Sequence, residues 1–403
     1  MTTLSKRETA DRAGVGLDYL ERLLELGLVE PDDKGGLLEG SVLKIQLVEA
    51  LEEAGIDVDA MAGLIRAGGI SLDWVVAAGT QIFASMSATT FEACSQETGV
   101  PFELLATIRE VVGGRPARPE DRLREDELAV VPVVQLQLAE GYRPIAIERT
   151  LRVYGDSMRR IVETESEAFR TEIIEAMLAS GLTENDIGDR AGELAPRMSA
   201  ASNEAVLALY HAQSRHAWMT NVIGGIAGAL GKAGLQQIPE RLPAMCFLDL
   251  TGYTRLTQER GDEAAADLAA RLGRLVERAS ARHGGRPVKW LGDGAMSYFR
   301  DPGSGVDAAL EMVDAVTDAG LPPAHVGVHA GPILFQEGDY FGQTVNIASR
   351  IAEYARPGEV LVSQEVVDAS AGSSAIFREI GPVELKGVAG VMRLHAAHRA
   401  AAS

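Results

Sequence analysis

The feature that most constrains the fold of this chain is a change of pattern near residue 241. Before it, apolar residues recur every three to four positions over long stretches, which predicts helices. After it, short apolar runs such as Ala244–Leu250 end at glycine turns and alternate with helical segments, which predicts strands. We therefore expect an α+β fold: an all-α regulatory region followed by a mixed domain over 241–403.

The elements of the second region follow the order βαββαβ with additions. A strand over 244–250 precedes a helix over 263–283, and two strands flank a Gly-Asp-Gly hairpin signal at 292–294. After a further helix, Gly331-Pro332 predicts a second strand–turn–strand, which joins 326–330 to 333–335. This order predicts a ferredoxin-like, antiparallel-rich sheet with helices on one face.

Two aspartates lie where this region is expected to turn. Asp249 comes at the end of the run 244–250, and Asp293 forms the tip of the Gly-Asp-Gly hairpin. Burying an unpaired carboxylate is costly, so a divalent cation is one natural partner. Two Asp side chains and a nearby backbone carbonyl, for which we take Leu250, leave room for phosphate oxygens on two Mg²⁺ or Mn²⁺ ions. For Asp293 alone, a purely turn-shaping role is the simpler interpretation.

Four further polar residues are candidates for nucleotide binding. Asn346 and Arg350 are four apart and share one helix face, and Arg offers a planar fork suited to phosphate. Lys289 precedes the hairpin, and Asp339 ends a polar loop over 336–339. An ammonium donor and a carboxylate acceptor match the ring nitrogen and the amino group of adenine. Taken singly, each of these residues reads as an ordinary surface residue.

Together these segments resemble the catalytic domain of class III nucleotidyl cyclases. The resemblance covers 244–395 and rests on five blocks in the family's order. The blocks are FLDLTGYT (247–254), VKWLGDG (288–294), VGVHAGP (326–332), DYFGQTVNIASR (339–350) and ELKG (384–387). Several blocks in order are far more specific than any single motif.

The resemblance implies a role for each candidate. Asp249 and Asp293 correspond to the metal-binding aspartates, and Lys289 and Asp339 to the adenine-selecting pair. Asn346 and Arg350 correspond to the pair that orients the ribose and stabilises the pentavalent phosphorus, while Lys386 resembles a lysine that reaches the triphosphate. These roles imply conversion of ATP to cyclic AMP, at sites shared by the two chains of a homodimer.

One residue departs from the family pattern, and one alternative function stays open. Many members carry Arg or Lys where this chain has His325. If His325 reaches phosphate, activity would tilt towards mildly acidic pH; a surface histidine without a role is an equal alternative. The other function class is a catalytically weak, cyclase-like signalling module fused to a DNA-binding regulator.

The N-terminal half divides into three parts by pattern. Residues 1–67 resemble a MerR-type winged helix-turn-helix, 68–200 read as a helical regulatory domain, and 201–240 as a helical connector. Residues 1–66 carry 7 Lys and Arg against 14 Asp and Glu, and Arg22 is the one arginine in the expected recognition stretch. Because phosphate contacts dominate DNA affinity, we expect a regulatory module, with nucleic-acid binding unlikely. A transcription factor fused to a cyclase is the rival interpretation.

Composition and charge limit the partners and the cellular compartment that we expect for this chain. The formal net charge is −20, which argues against non-specific binding to nucleic acid or anionic lipid. No run approaches the roughly 20 apolar residues of a membrane span, and 222–235 reads as a buried helix or packed linker. Two scattered cysteines fit a reducing cytoplasm. We found no internal repeat, and we expect the regulatory region to read a small apolar ligand or, through His211 and His216, a pH signal.

Overall fold

The computed structural model describes residues 3–32, 35–72, 84–235, 242–370 and 372–400. It divides into two compact units, Met1–Gly224 and Gly225–Ser403. Within the described residues, no helix is both long and apolar enough to cross a membrane.

The first unit begins with two short helices joined by a tight turn. The first of them starts at Ser5, whose side chain accepts a hydrogen bond from the Glu8 N–H, and it ends at Gly14. Gly14 has a φ of 82°, a conformation that strongly favours glycine, so the chain reverses there. The elements are β1 (Thr3–Leu4), α1 (Lys6–Ala13), α2 (Leu17–Glu25), β2 (Leu37–Leu38), α3 (Gly40–Glu53) and α4 (Val58–Arg66).

The same series of elements occurs a second time, 85 or 86 residues later. In both copies the two short strands pair antiparallel. Buried core residues recur at matching places, such as Leu20 and Leu105 or Met61 and Ile147. The second series is β3 (Met86–Thr90), α5 (Phe91–Thr98), α6 (Phe102–Val111), β4 (Arg122–Arg124), α7 (Glu125–Ala139) and α8 (Pro144–Phe169).

This duplication corrects two expectations. The conclusion that the chain has no internal repeat is wrong, because the copies share apolar core positions and the glycine turn (Gly14, Gly99) rather than surface residues. The region is also not all-α, since each copy contains a pair of short strands. Such strands of two to five residues are too short to show a period of two in the sequence.

Helices continue to the end of the first unit and beyond residue 224. After α8, a π-helical turn (Arg170–Ile174) leads into α9 (Glu175–Ala179), and α10 then runs without a break over Glu184–Lys232. The expected boundary at residue 200 lies inside α10. Within one chain, the expectation of a buried helix or packed linker over 222–235 does not hold for Ile223 and Ile226, which are more than half exposed.

The second unit is built on a seven-stranded sheet. Its strands are β5 (Ala244–Leu250), β6 (Gly285–Leu291), β7 (Gly294–Phe299), β8 (Ala324–Ala330), β11 (Val360–Ser363), β12 (Ala375–Glu384) and β13 (Val391–Arg399). Their spatial order is β12-β13-β11-β8-β5-β7-β6, and only β8 and β11 are parallel neighbours. Strand β5, which carries Asp249, therefore lies between β8 and β7.

Helices cover both faces of this sheet. They are α11 (Tyr253–Arg260), α12 (Asp262–Arg282), α13 (Pro302–Asp318), α14 (Gln343–Tyr354) and α15 (Gln364–Ala369). Cys246 and Leu248 of β5 pack with Leu272 of α12, whereas Met245, on the opposite face, packs with Ala348 of α14. The expectation of helices on one face is therefore wrong. The cause is that β5 is apolar on both faces, so each needs a cover.

The predicted pairing around Gly331-Pro332 is also wrong. Strand β9 (Leu334–Gln336) pairs with β10 (Asp339–Phe341) rather than with β8. Pro332 has no N–H to donate to a ladder, and its carbonyl instead accepts a hydrogen bond from the Thr344 hydroxyl at the start of α14. Asp339 therefore begins a strand and does not end a polar loop.

Helix α14 packs directly on β8, and Gly327 makes that contact possible. A Cβ atom at Gly327 would lie 2.1 Å from the Ala352 nitrogen and 2.6 Å from the Ala348 carbonyl oxygen. Both are backbone atoms of α14, which cannot move without displacing the helix.

We expect Gly327→Ala to destabilise the second unit by at least about 2 kcal/mol, because overpacking forces the backbone apart. Urea unfolding followed by circular dichroism measures the loss. The matched control is Gly228→Ala in α10, where a Cβ meets no atom within 4 Å, so stability should hold or rise. Equal stability of Gly327→Ala and wild type would contradict the close packing.

Candidate active site

Asp249 lies near the end of the central strand β5, on the face opposite Cys246 and Leu248. Its direct neighbours are Gly294 on β7 and His325 on β8. The carboxylate is about half exposed, at 46%. A Cβ at Gly294 would lie 3.0 Å from its Oδ1 atom and 2.8 Å from the Leu248 carbonyl oxygen. Glycine at this position therefore leaves the room that the carboxylate occupies.

Asp293 stands at the tip of the β6–β7 hairpin, next to Gly294. Partial burial raises the pKa of Asp249, and the nearby negative charge of Asp293 raises it further. The backbone N–H of Leu250 counteracts this by bonding to the Asp249 carboxylate, while the Leu250 side chain is buried. The structure thus brings the two predicted metal-site aspartates together as a repelling pair.

A divalent cation fits this pair, because it would relieve the repulsion that raises the pKa of Asp249. Among the described residues, no three His, Cys, Asp or Glu side chains converge as a metal-binding cluster. A cation here would consequently keep coordination positions free for backbone and phosphate oxygens, as an open magnesium site does.

His325 faces Asp249. Its Nε2 atom is 3.6 Å from Asp249 Oδ2, and its Nδ1 atom is 3.2 Å from the Thr251 hydroxyl. The side chain is only 13% exposed. The sequence hypothesis linked His325 to phosphate; in the structure its polar neighbours are Asp249 and Thr251. The His325 side chain is thus largely buried rather than at the surface, and a role in pH dependence stays a prediction.

Lys289 and Asp339 form an ion pair, with 2.7 Å between Nζ and Oδ2. Lys289 lies on β6, the edge strand of the sheet, and Asp339 on β10 of the separate hairpin. Burial alone would raise the pKa of Asp339, but the Lys289 hydrogen bond and the Tyr340 N–H outweigh it and lower that pKa. The pair predicted across 50 residues of sequence is thus in direct contact.

Asn346 and Arg350 lie on α14, one turn apart. Arg350 Nη1 donates to both carboxylate oxygens of Glu353, at 2.7 and 2.6 Å. Glu353 is not among the residues predicted from the sequence, although its spacing of three from Arg350 is typical of a helical ion pair. The charge of Glu353 also acts on Asp249, whose pKa it helps to raise.

Lys386 is exposed in the turn after β12. Among the described residues, no hydrogen bond or ion pair joins Lys386, or the Lys289–Asp339 pair, to the two aspartates. One chain therefore presents the candidates as separate groups rather than as a single cluster.

The chain is similar to known nucleotide cyclases. Residues 240–398 match the model of the adenylate and guanylate cyclase catalytic domain. A pH-sensitive adenylate cyclase of Mycobacterium tuberculosis (strain CDC 1551 / Oshkosh) is 30% identical over 323 residues, which cover 76% of this chain and 77% of that protein. An adenylate cyclase of Streptomyces coelicolor is 36% identical over 138 residues, 34% of this chain and 36% of that one.

Two further matches differ in how much of this chain they cover. An uncharacterised protein of Mycobacterium tuberculosis (strain H37Rv) is 26% identical over 387 residues and is covered to 92%, as is this chain. The crystal structure of the adenylyl cyclase CyaB from P. aeruginosa aligns with 40% of this chain and 95% of that chain, at 20% identity and a TM-score of 0.36.

These relatives define a nucleotide cyclase, and the chain belongs to the family of adenylate and guanylate cyclases. The similarity is not confined to the catalytic unit. The 323 aligned residues of the pH-sensitive relative exceed the matched catalytic domain about twofold, so part of the helical first unit is shared as well.

Proposed function

We propose that the protein is an adenylyl cyclase, which converts ATP to 3′,5′-cyclic AMP and pyrophosphate. The observation that carries this proposal is the 2.7 Å ion pair between Lys289 and Asp339. The ammonium group suits a ring nitrogen of adenine, and the carboxylate suits its amino group, whereas guanine presents the opposite pattern. Curated relatives named as adenylate cyclases support the same substrate.

The metal site consists of Asp249 and Asp293, with the backbone carbonyl of Leu250 as the third donor. Two Mg²⁺ or Mn²⁺ ions bound there would neutralise phosphate charge and lower the pKa of the ribose 3′-hydroxyl. No strong side-chain base is then required near the sugar.

The remaining candidates bind and orient the substrate. Lys289 and Asp339 hold the base, Asn346 orients the ribose, and Lys386 binds the triphosphate. The 3′-oxygen attacks the α-phosphorus in line, its proton leaves to solvent, and the bond to pyrophosphate breaks. Arg350 exchanges its hydrogen bonds to Glu353 for hydrogen bonds to the phosphate oxygens on which charge develops. The βαββαβ core, which we take to be ferredoxin-like, supplies the sheet that carries these residues.

We infer a homodimer with two equivalent sites, each taking its aspartates from one chain and its remaining residues from the other. The separate groups of one chain are what such sharing requires. Helix α10 supports the same assembly, because eight apolar residues, together with Ser202 and His216, follow the alternating spacing of four and three residues typical of a coiled coil. The positions are Met198, Ser202, Ala205, Leu209, Ala212, His216, Met219, Ile223, Ile226 and Leu230. We call them the α10 seam.

The decisive experiment is an assay of the full chain with ATP or GTP and Mg²⁺ or Mn²⁺. Cyclic AMP should form from ATP, and Asp249→Ala and Arg350→Ala should each be inactive. Co-expressed in equal amounts, the two variants should recover about one quarter of wild-type activity, because half the dimers then hold one intact site. A wild type that makes no cyclic AMP with either metal would contradict the proposal. Failure of the mixture alone would contradict shared sites.

Base selectivity tests the ion pair directly. Guanylyl cyclases carry Glu and Cys types at these two positions, so we expect Lys289→Glu combined with Asp339→Cys to prefer GTP. The kcat/KM ratio of ATP to GTP should fall about 100-fold or more, because groups that hydrogen-bond a base reject one that leaves them unpaired. Steady-state kinetics of both substrates measures the ratio, and an unchanged ratio would show that another site reads the base.

The α10 seam makes a separate prediction. Ile223 is 55% exposed in one chain, and a charge at this position would be buried in a two-stranded seam. Ile223→Glu should weaken dimerisation by about 100-fold or more and lower activity in parallel. Light scattering after size exclusion measures the mass. The matched control is Asn221→Glu, two residues away on the outer side of the same helix, which should remain dimeric. If the Ile223→Glu protein is still a dimer, the α10 seam is not part of the dimer interface.

The first unit is proposed to regulate the enzyme rather than to bind DNA. Arg22 of α2 donates to Glu52 at 2.8 Å and to Asp59 at 3.0 Å. In the second copy, Arg109 of α6 binds Glu127 through two hydrogen bonds of 2.8 and 2.9 Å. The arginines of both candidate recognition helices are thus held by carboxylates of their own chain, which disfavours the alternative of a DNA-binding regulator.

The signal read by this unit stays a prediction. A mainly apolar cavity of about 520 Å³ lies between Ile70, Leu72, Phe169, Ile174 and Ile187. Its volume suits a small apolar ligand, and it includes the last residue of the π-helical turn. A pH signal through His211 and His216 is the second candidate, and His216 is a member of the α10 seam.

A further inference from the structure

The hairpin that carries Asp339 is not part of the main sheet. Strands β9 and β10 pair only with each other among the described residues. Their two-residue turn, Glu337-Gly338, has positive φ angles of 56° and 76° at its two positions, which fixes the register within the hairpin. The turn does not fix where the hairpin lies against the sheet, so side chains must do so.

Tyr340 makes the main attachment. Its ring stacks on Tyr298 of β7, with 4.8 Å between the ring centroids and an angle of 9° between the planes. Arg286 of β6 donates from Nη2 to the Tyr340 hydroxyl at 2.8 Å, with its guanidinium 5.9 Å from the ring centroid. Tyr340 thus joins the hairpin to two adjacent strands of the sheet, in addition to the ion pair between Asp339 and Lys289 of β6.

This attachment lies next to the base-reading carboxylate. Neighbouring residues of a strand point to opposite sides, so anchoring Tyr340 on one side fixes the direction of Asp339 on the other. The Tyr340 N–H also donates to Asp339 Oδ1 at 2.8 Å. The remaining carboxylate oxygen, Oδ2, is then the one that accepts from Lys289.

We propose that Tyr340 is a positioning residue for base selection: by stacking on Tyr298 and bonding to Arg286, it sets the Asp339 carboxylate against the purine. The inference rests on the proposed role of Lys289 and Asp339 in reading adenine. This positioning role of Tyr340 differs from a purely structural role, because loosening the hairpin alters the choice between ATP and GTP rather than only the amount of folded enzyme.

The test compares kcat and KM for ATP and GTP in full-length variants. Tyr340→Leu, which removes the stack and the hydroxyl, should raise KM for ATP and lower the ATP-to-GTP ratio of kcat/KM by about tenfold, with a smaller change in kcat. Tyr340→Phe and Arg286→Gln each lose the 2.8 Å hydrogen bond and keep the stacked rings, so each should lower the ratio by about threefold. Phe335→Leu is the control. Its ring also contacts Tyr340, at 5.0 Å, but it belongs to the hairpin itself and should leave the ratio unchanged.

The outcomes separate this inference from the proposed function. A wild type without cyclic AMP production contradicts the function itself. An active wild type with an unchanged ratio in Tyr340→Leu overturns the positioning role alone, as does a variant that loses thermal stability and kcat at a constant ratio. If Tyr340→Leu does not fold, Tyr340→Phe and Arg286→Gln decide: a ratio equal to that of wild type in both overturns the role.

Discussion

Two carboxylates that repel each other are the constraint around which the catalytic unit is arranged. Asp249 lies on β5 and Asp293 in the β6–β7 turn. Burial raises the pKa of Asp249, the charge of Asp293 raises it further, and His325 and the Leu250 N–H offset this only in part. Burial of β5 between β7 and β8 supplies the free energy that holds them together, because apolar residues cover both faces of that strand. The helix α14 can cover one of these faces only where Gly327 lets its backbone approach.

The sequence predicted which candidate residues lie together better than it predicted the fold around them. Each candidate residue lies in a short block whose residue types and local spacing were informative, although Lys289 and Asp339 are 50 residues apart. Asp249 with Asp293 and Lys289 with Asp339 indeed lie together. Pairing of β9 with β10 was missed because Gly331-Pro332 looks like a turn, while the actual turn has a glutamate at its first position. A non-glycine residue with positive φ is rare enough that sequence patterns do not indicate it.

The repeat in the first unit illustrates a different limit. Its two copies keep the size and apolarity of the core but not its identities, as Leu23 and Ile108 or Ile45 and Val131 show. Cores tolerate exchanges between apolar residues of similar volume, so two copies can share a fold while their sequences show little similarity. The surfaces diverged further: Arg22 forms exposed ion pairs, whereas Arg109 and Glu127 form a nearly buried one. Arg22 and Arg109 are both bound by carboxylates of their own chain, so neither offers its charge freely to the phosphates of a nucleic acid.

In the free protein, the Glu353 carboxylate is bound to Arg350 and therefore competes with any anion for this arginine. Both side chains are substantially exposed, so their mutual attraction is weak in water and exchange of partners costs little. In the proposed reaction, a phosphate group must nevertheless displace the Glu353 carboxylate from Arg350. A polyphosphate with several negative charges would displace it readily, while a singly charged anion would gain little over Glu353. If Arg350 binds phosphate as proposed, its occupancy therefore depends on the charge of the ligand as well as on its shape.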